Sequence, residues 1–478
     1  MSLALPPQRS SLSRVWRRLR AGVADRVAVD GRALGALRIA LGLLLLADLV
    51  LRARFLGAFY TDAGVFPRAL LVERYPTIST FSLHALSGGL WWQVALFVGA
   101  GLAALSLLVG YRTRLATVAS LLLLVSLHAR NPLVLNAGDS LLRRLLLWGA
   151  FLPLGARWSV DARGADSDAP DRVVSAATAA LVLQVVLVYA VNAVMKLRTD
   201  VWLGGQAVRY AFSLEQFTVL LGEVLPEYPR ALVALGTVWL ALVVASPLLL
   251  LARGRARGVL AGAFVGMHAG MALSMHIGLF PLISIAALLP FLPRGVWDRA
   301  ASGPENRVSS VVEGARASRI ASRVEGLRPI GPRAGLSGVF DEARRDRLRR
   351  GGRRARTVLL GALVVTTLAW NAASLGLVAF PDVGGVDPAD NRWAMFSRPP
   401  ESDGWYVAAG SPAGGAADDR VDLFGAAAAR WEDPRDVSAT YPSARWRKYL
   451  ADVRWTDDDE LQHRFATWLC HRYETRHG

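Results

Sequence analysis

Long apolar runs alternate along this chain with shorter stretches rich in Arg or Trp. Nine runs approach the roughly 20 apolar residues needed to cross a bilayer: 33–51, 91–109, 115–127, 141–154, 173–195, 231–251, 259–275, 277–292 and 357–380. The third is short by itself and is expected to extend at one end. It stops at His128-Ala-Arg130-Asn131-Pro132, because the residue before a proline disfavours helix. The sixth is interrupted by Pro247. The seventh and eighth flank His276 and together exceed one crossing, so a turn is expected at 274–278. The pattern predicts an all-α polytopic membrane protein of about nine transmembrane helices.

The polar stretches divide the chain. Residues 1–32 carry seven arginines and read as a basic cytoplasmic leader. Residues 33–293 form a transmembrane domain of about eight spans. Residues 294–356 are an Arg-rich cytoplasmic linker, too polar to build a core. Residues 357–380 are the last span. Residues 381–478 are expected to form a small α/β extracytoplasmic domain, with a hairpin from 404–409 and 420–424 and helices at 446–449 and 461–473. The loop 196–230 should hold a surface-lying amphipathic helix.

Composition agrees with this division: 53% hydrophobic, 19% charged and a mean hydropathy of +0.32. A net charge of +17 would suit nucleic acid. The arginines, however, cluster between apolar runs, which the positive-inside bias explains better. The expected partner is therefore the lipid bilayer and not nucleic acid. The single Cys470 excludes a disulfide framework within the chain and any multi-Cys metal centre. No cleavable signal peptide is evident. Placing the leader, 110–114, 155–172, 253–257 and 294–356 in the cytoplasm gives one consistent plasma-membrane topology. The N-terminus is inside and the C-terminus outside. The connections 52–90, 128–140, 196–230 and 274–278 then share the outer face.

Among 55 Lys and Arg residues only Lys196 and Lys448 are lysines. Arg stays protonated at any usable pH, whereas a Lys in apolar surroundings can lose its proton. Lys196 closes the apolar run 173–195, in Tyr189-Ala-Val-Asn192-Ala-Val-Met-Lys196-Leu-Arg198-Thr-Asp200-Val-Trp202-Leu-Gly204-Gly205. A neutral amine acting as a base and a Lys snorkelling at a helix end are both open readings.

Three stretches resemble the membrane domain of vitamin K-dependent γ-glutamyl carboxylase and its prokaryotic HTTM relatives. The first is Phe59-Tyr-Thr-Asp62-Ala-Gly64-Val-Phe-Pro67-Arg68. The second is Asn131-Pro-Leu-Val-Leu-Asn136-Ala-Gly-Asp139-Ser-Leu-Leu-Arg143. The third is the Tyr189–Gly205 stretch, continued by Met267-His268 and Ile277-Gly278-Leu279-Phe280-Pro281. The resemblance covers roughly residues 33–300. It implies a membrane enzyme whose lysine acts as base on a quinol, menaquinone or vitamin K-like. Oxygen and carbon dioxide would be co-substrates, and glutamate in an exported peptide would be carboxylated. Lys196 looks like the family's lysine and His268 like one of its histidines. Asp62, Asn131, Asn136, Asp139, Asp200 and Trp202 are implied near the substrate or quinone cavity. The chain departs from the pattern in two ways. Fewer than 100 residues follow the last run, and Asp200-Val-Trp202 carries an extra residue between Asp and Trp. A non-catalytic membrane factor for assembly or maturation of a secreted peptide is the rival. A transporter has less support, since no inverted repeat is visible.

Other residues have local readings. Asp48 and Arg52 are spaced i, i+4 for an ion pair. Asp62 suits a turn. Asn131, Asn136 and Asp139 suit helix caps, Asp139 by preceding Ser140 and an apolar run. His268 reads equally as a site residue or a satisfied core histidine, and His276 as structural. His268 and His276 without neighbouring carboxylates make a poor metal site. No GxSxG, Walker A or HExxH pattern occurs.

Overall fold

The computed structural model describes residues 9–164, 170–302, 342–379, 387–389, 392–398, 403–411, 420–425, 427–428, 434, 436–456 and 459–477. The linker expected at 294–356 therefore lies largely outside the described residues.

The principal helices are α1 (Arg9–Val27), α2 (Gly31–Ala53), α3 (Leu90–Val109), α4 (Thr113–Arg130), α5 (Ala137–Gly149) and α6 (Ala176–Leu197). They continue with α7 (Pro229–Val244), α8 (Gly254–Ser274), α9 (Phe280–Leu288), α10 (Glu342–Ser374), α11 (Ala444–Trp455) and α12 (Asp459–His477). Among the described residues five helices are long and apolar enough to cross a membrane: α2, α3, α6, α8 and, from Arg354, α10. Two bent pairs, 221–227 with α7 (112°) and 280–291 with 294–300 (107°), bring the number to as many as seven if each pair is one broken span rather than a re-entrant loop. The bundle has an apolar core, but unlike a water-soluble one its outer face is apolar as well. α3 exposes Leu102, Leu105 and Val98, while Gln93, Thr117, Ser120 and His128 are buried. Such exposed apolar faces suit lipid.

One expected crossing is shorter than its apolar run suggests, and one expected loop helix is broken into pieces. The run 141–154 yields only the 13-residue α5, about 20 Å at 1.5 Å per residue. Pro153 ends what the apolar pattern would continue, and Arg143 and Arg144 interrupt it from within. The loop 196–230 is not one amphipathic helix but several short ones, 200–203, 207–212 and 221–224.

Small features fix the packing. α2 and α3 touch closely because a Cβ on Gly42 would lie 2.7 Å from Leu108 Cα. α3 ends at Gly110, whose φ of 72° is left-handed; Tyr111 N–H returns to Ser106 C=O at 2.9 Å. Buried Arg38 then donates to the carbonyls of Leu107, at 2.9 Å, and Leu108.

The connections sort onto two ends. At one, strand β1 (Val29–Asp30) pairs antiparallel with β2 (Arg172–Val173), and Arg257 donates to the Arg26 carbonyl at 3.0 Å. At the other, α11 and α12 pack with a three-stranded antiparallel sheet, β3 (Ala409–Gly410), β4 (Val421–Asp422) and β5 (Ala427–Ala428). This α/β unit sits on all four connections expected to share a face. Tyr449 donates to Val65 C=O, Arg445 to Val134 C=O and Arg447 to Gln216 and His276 carbonyls. Its aromatic core interleaves with the 52–90 connection, the Phe59 and Trp446 rings lying 4.5 Å apart.

Candidate functional site

α6 is capped at its start by Ser175, which exchanges hydrogen bonds with Thr178. Beyond Asn192 its polar residues line one face that continues into the short helix 200–203. Asn192, Lys196, Thr199 and Trp202 are three or four apart and so align. All four donate to one segment, 393–397. Asn192 Nδ2 reaches the carbonyls of Trp393 at 3.1 Å and Met395 at 3.0 Å. Lys196 Nζ reaches Met395 C=O at 2.9 Å, Thr199 Oγ1 reaches Ser397 C=O at 3.2 Å, and Trp202 Nε1 reaches Phe396 C=O at 2.7 Å. The segment turns sharply at Phe396, whose φ is 52°. It forms a strap over the lysine.

Lys196 is fully buried, at 0% exposure. Its Nζ lies 3.9 Å from the Trp202 ring centroid and 5.7 Å from that of Trp239. No carboxylate pairs with it among the described residues. A snorkelling Lys would reach toward water; this one turns inward under the strap.

Behind the strap, Tyr189 Oη and His268 Nε2 are 2.9 Å apart. His268 also meets the rings of Tyr189 and Phe280, and its Nδ1 has no partner among the described residues. Tyr189, Asn192, His268, Trp393 and Met395 border a void of about 30 Å³, room for a water-sized molecule.

In front of the strap lies a larger cavity of about 520 Å³, between the bundle and the α/β unit. Asn136, Phe217, Phe280, Trp405, Tyr406 and Tyr441 give it aromatic and amide walls; Arg392, Arg447, Lys448 and Arg454 outnumber Asp403. Arg447 lies 4.1 Å from the Phe217 centroid, and burial brings its guanidinium down to about 10. The two spaces share Phe280, Trp393, Met395 and Phe396, so the strap is their common wall.

A separate ionic cluster joins bundle to cap. Arg52 donates to Asp48 at 2.7 Å, Asp139 at 2.7 Å and Tyr60 Oη at 2.7 Å. Arg445 of α11 reaches Asp48 at 2.7 Å and both oxygens of Asp139 at 2.9 and 3.0 Å. Burial would weaken the Arg445 charge, but Asp139 and Asp48 outweigh it and hold its pKa above the usual value. His128 lies between Arg52 and Arg143, at 2.9 and 2.7 Å. Asp48, His128 and Asp139 present ligand atoms within 4.8 Å of one another. Both carboxylates are already bonded by guanidiniums, so a cation there would have to displace Arg52 or Arg445.

The predicted residues thus separate. Lys196 and Trp202 stack together, His268 faces the small void and Asn136 the large cavity. Asn136, not Asp139, is the N-cap of α5: Asp139 is the third residue of its capping box and spends its other contacts on the ionic cluster. Asp62 bonds Arg68 N–H and guanidinium in a turn, and Asn131 Nδ2 binds Phe59 C=O. Asp200 is exposed at the start of its short helix. Asp62, Asn131, Asp139 and Asp200 line neither cavity, and neither do Lys196 and Trp202, which lie behind the strap. Sequence reasoning missed the strap, Arg445 and His128. The strap's only signal was the aromatic content after the last run; Arg445 had none.

The HTTM domain family model matches residues 27–296, more than half of the chain. No curated protein and no solved structure matches it.

Proposed function

This chain belongs to the HTTM domain family, that of vitamin K-dependent carboxylase-like membrane proteins, and on that premise we propose that it is a quinol-dependent membrane enzyme modifying an exported peptide. The observation that carries this reading is Lys196, buried against Trp202 beside a 520 Å³ cavity and separated from it by the strap. In the proposal the strap withdraws, and Lys196 Nζ, freed from Met395 C=O, accepts a proton in the cavity. His268 is fixed through Tyr189 on the strap's other side and orients the wall that the lysine then faces.

The walls fit a quinol: Phe217, Phe280, Trp405 and Tyr406 would hold a flat ring. When bound, the quinol would supply an oxidisable hydroxyl whose reaction with oxygen provides a strong base. Arg392, Lys448 and Arg454 would hold the acidic side chain of the peptide. The γ-carbon of glutamate would lose a proton and form a bond to carbon dioxide, giving a second carboxylate. Nine crossings of the plasma membrane, with the N-terminus cytoplasmic and the α/β unit outside, would bring this cavity to exported substrates. The clustering of arginines at the opposite end supports that orientation.

One observation favours the rival, a non-catalytic maturation factor: the strap covers Lys196 completely in this conformation. Mass spectrometry of exported peptides, with and without the protein, separates the two. Carbon dioxide gained on Glu only when the protein is present supports the enzyme; peptides of unchanged mass that fail to mature without it support the factor.

A further inference from the structure

At the end of the bundle away from the α/β unit lies a cavity of about 330 Å³. Its walls come from the end of α1, strands β1 and β2, the start of α8 and the segment 290–294. Its carboxylates are all spoken for. Asp25 pairs with Arg172 at 2.6 Å and lies 4.0 Å from Arg253, which also donates to Gly22 C=O at 3.3 Å; Asp30 pairs with Arg32 at 2.9 Å, and Asp171 with Arg157 at 2.8 Å and Arg294 at 3.1 Å.

Arg257, in the same wall, differs. It is 7% exposed, and among the described residues no carboxylate pairs with it. Nη1 donates to Arg26 C=O at 3.0 Å, Nε and Nη2 have no acceptor, and the guanidinium lies 4.9 Å from the Phe291 ring centroid. A buried cation with orphaned donors is costly unless an anion completes it. The adjoining backbone is arranged for one. α8 is 21 residues long, and its N-cap Arg253 contributes no side-chain acceptor, so the first-turn N–H groups lack a cap. Gly254 has a φ of 54° and nothing within 4 Å of where its Cβ would be, leaving the helix start open to approach. Two residues past Arg257, and so on the other side of the helix, Val259 is 74% exposed on a helix apolar enough to span.

We propose that this cavity binds a phosphate group, that of an anionic phospholipid, between Arg257, Arg253 and the N-terminus of α8. Phosphate oxygens satisfy the uncapped N–H groups and supply the charge that Arg257 lacks. From the cavity the lipid's acyl chains pass round the open start of α8 at Gly254 to its exposed apolar face. Inorganic phosphate shares the recognised chemistry and is the other source the test distinguishes.

The test uses the purified full-length chain in mild detergent. Dioleoylphosphatidylglycerol, dioleoylphosphatidylcholine or inorganic phosphate is added, and bound lipid is read by native mass spectrometry and Tm by thermal unfolding. Wild type is expected to retain phosphatidylglycerol in preference to phosphatidylcholine. Arg257→Met should retain about tenfold less, as expected for losing one charge-assisted contact. Arg209→Gln, an exposed arginine elsewhere, should match wild type. A Tm rise with inorganic phosphate alone, absent in Arg257→Met, supports the same site with a soluble source. Should Arg257→Met fail to fold, Arg253→Gln, whose side chain is 52% exposed, carries the same comparison with a smaller loss. Equal phosphatidylglycerol retention by wild type and the folded variant, with no effect of phosphate, overturns the proposal.

Discussion

Lys196 Nζ and the carbonyl of Met395, 199 residues apart in sequence, meet at 2.9 Å, so the lysine and the strap covering it are one unit. The strap is held by side-chain donors of α6 and the short helix after it, and accepts through its own carbonyls. Its grip therefore depends on Asn192, Thr199 and Trp202 more than on which residues form the strap.

Trp202→Phe should loosen that grip, since it keeps the ring beside Lys196 but removes the 2.7 Å bond to Phe396 C=O. In a Cys470→Ser background carrying Met395→Cys, thiol labelling should be about fivefold faster in the Trp202→Phe protein, as expected for losing about 1 kcal/mol of hydrogen bonding. Unchanged labelling would mean that the Trp202 bond does not help hold the strap.

Arg445→Met should destabilise the protein by about 3 kcal/mol, because it leaves Asp48 and Asp139 buried with one guanidinium fewer. Arg445→Lys keeps the charge but not the fork that reaches both carboxylates, and should fall between. Denaturant unfolding in detergent measures both.

The 52–90 connection carries a pH response. His84 is 1% exposed, and burial, followed by the Arg130 and Arg52 charges, lowers its pKa to about 4 from 6.5. The unfolded chain binds this proton more readily. Stability is therefore full above pH 6.5 and falls as pH drops toward 4, by roughly 3 kcal/mol in all. His84→Asn, whose amide oxygen can accept from Ser126, should flatten the fall in Tm over that range.

Gly88→Ala tests whether Asp62 is a turn residue. The new Cβ would lie 1.9 Å from Asp62 Cγ, so the Asp62–Arg68 turn must shift. The expected cost is about 1–3 kcal/mol, with peptide modification per folded molecule unchanged. Lost activity at full stability would return Asp62 to the site.

Much of the bundle was legible because lipid-facing helices must be apolar along their length. The runs at 33–51, 91–109 and 173–195 became α2, α3 and α6 with ends shifted by a few residues. The pairing of β3 with β4 overlaps the hairpin expected at 404–409 and 420–424, with β3 starting at its end. Lys196 was visible because it is one of only two lysines in an Arg-rich chain, and Trp202 because it belongs to the same short stretch. Asp139 was misread because a cap is a local pattern. Its decisive partner, Arg445, lies 306 residues away, and nothing in the sequence near either residue points to the other. The strap was illegible for a related reason: it contributes backbone carbonyls, which every residue has.

The most direct test of the account is the modification of exported peptides by wild type and Lys196→Arg, read by mass spectrometry on variants shown to fold and insert. Arg keeps the charge but cannot give up its proton. Losing a positioned base lowers the rate by about 100-fold or more. The account predicts glutamate that has gained carbon dioxide with wild type, and at most a trace with Lys196→Arg and Lys196→Ala alike. Full modification by Lys196→Arg would contradict it.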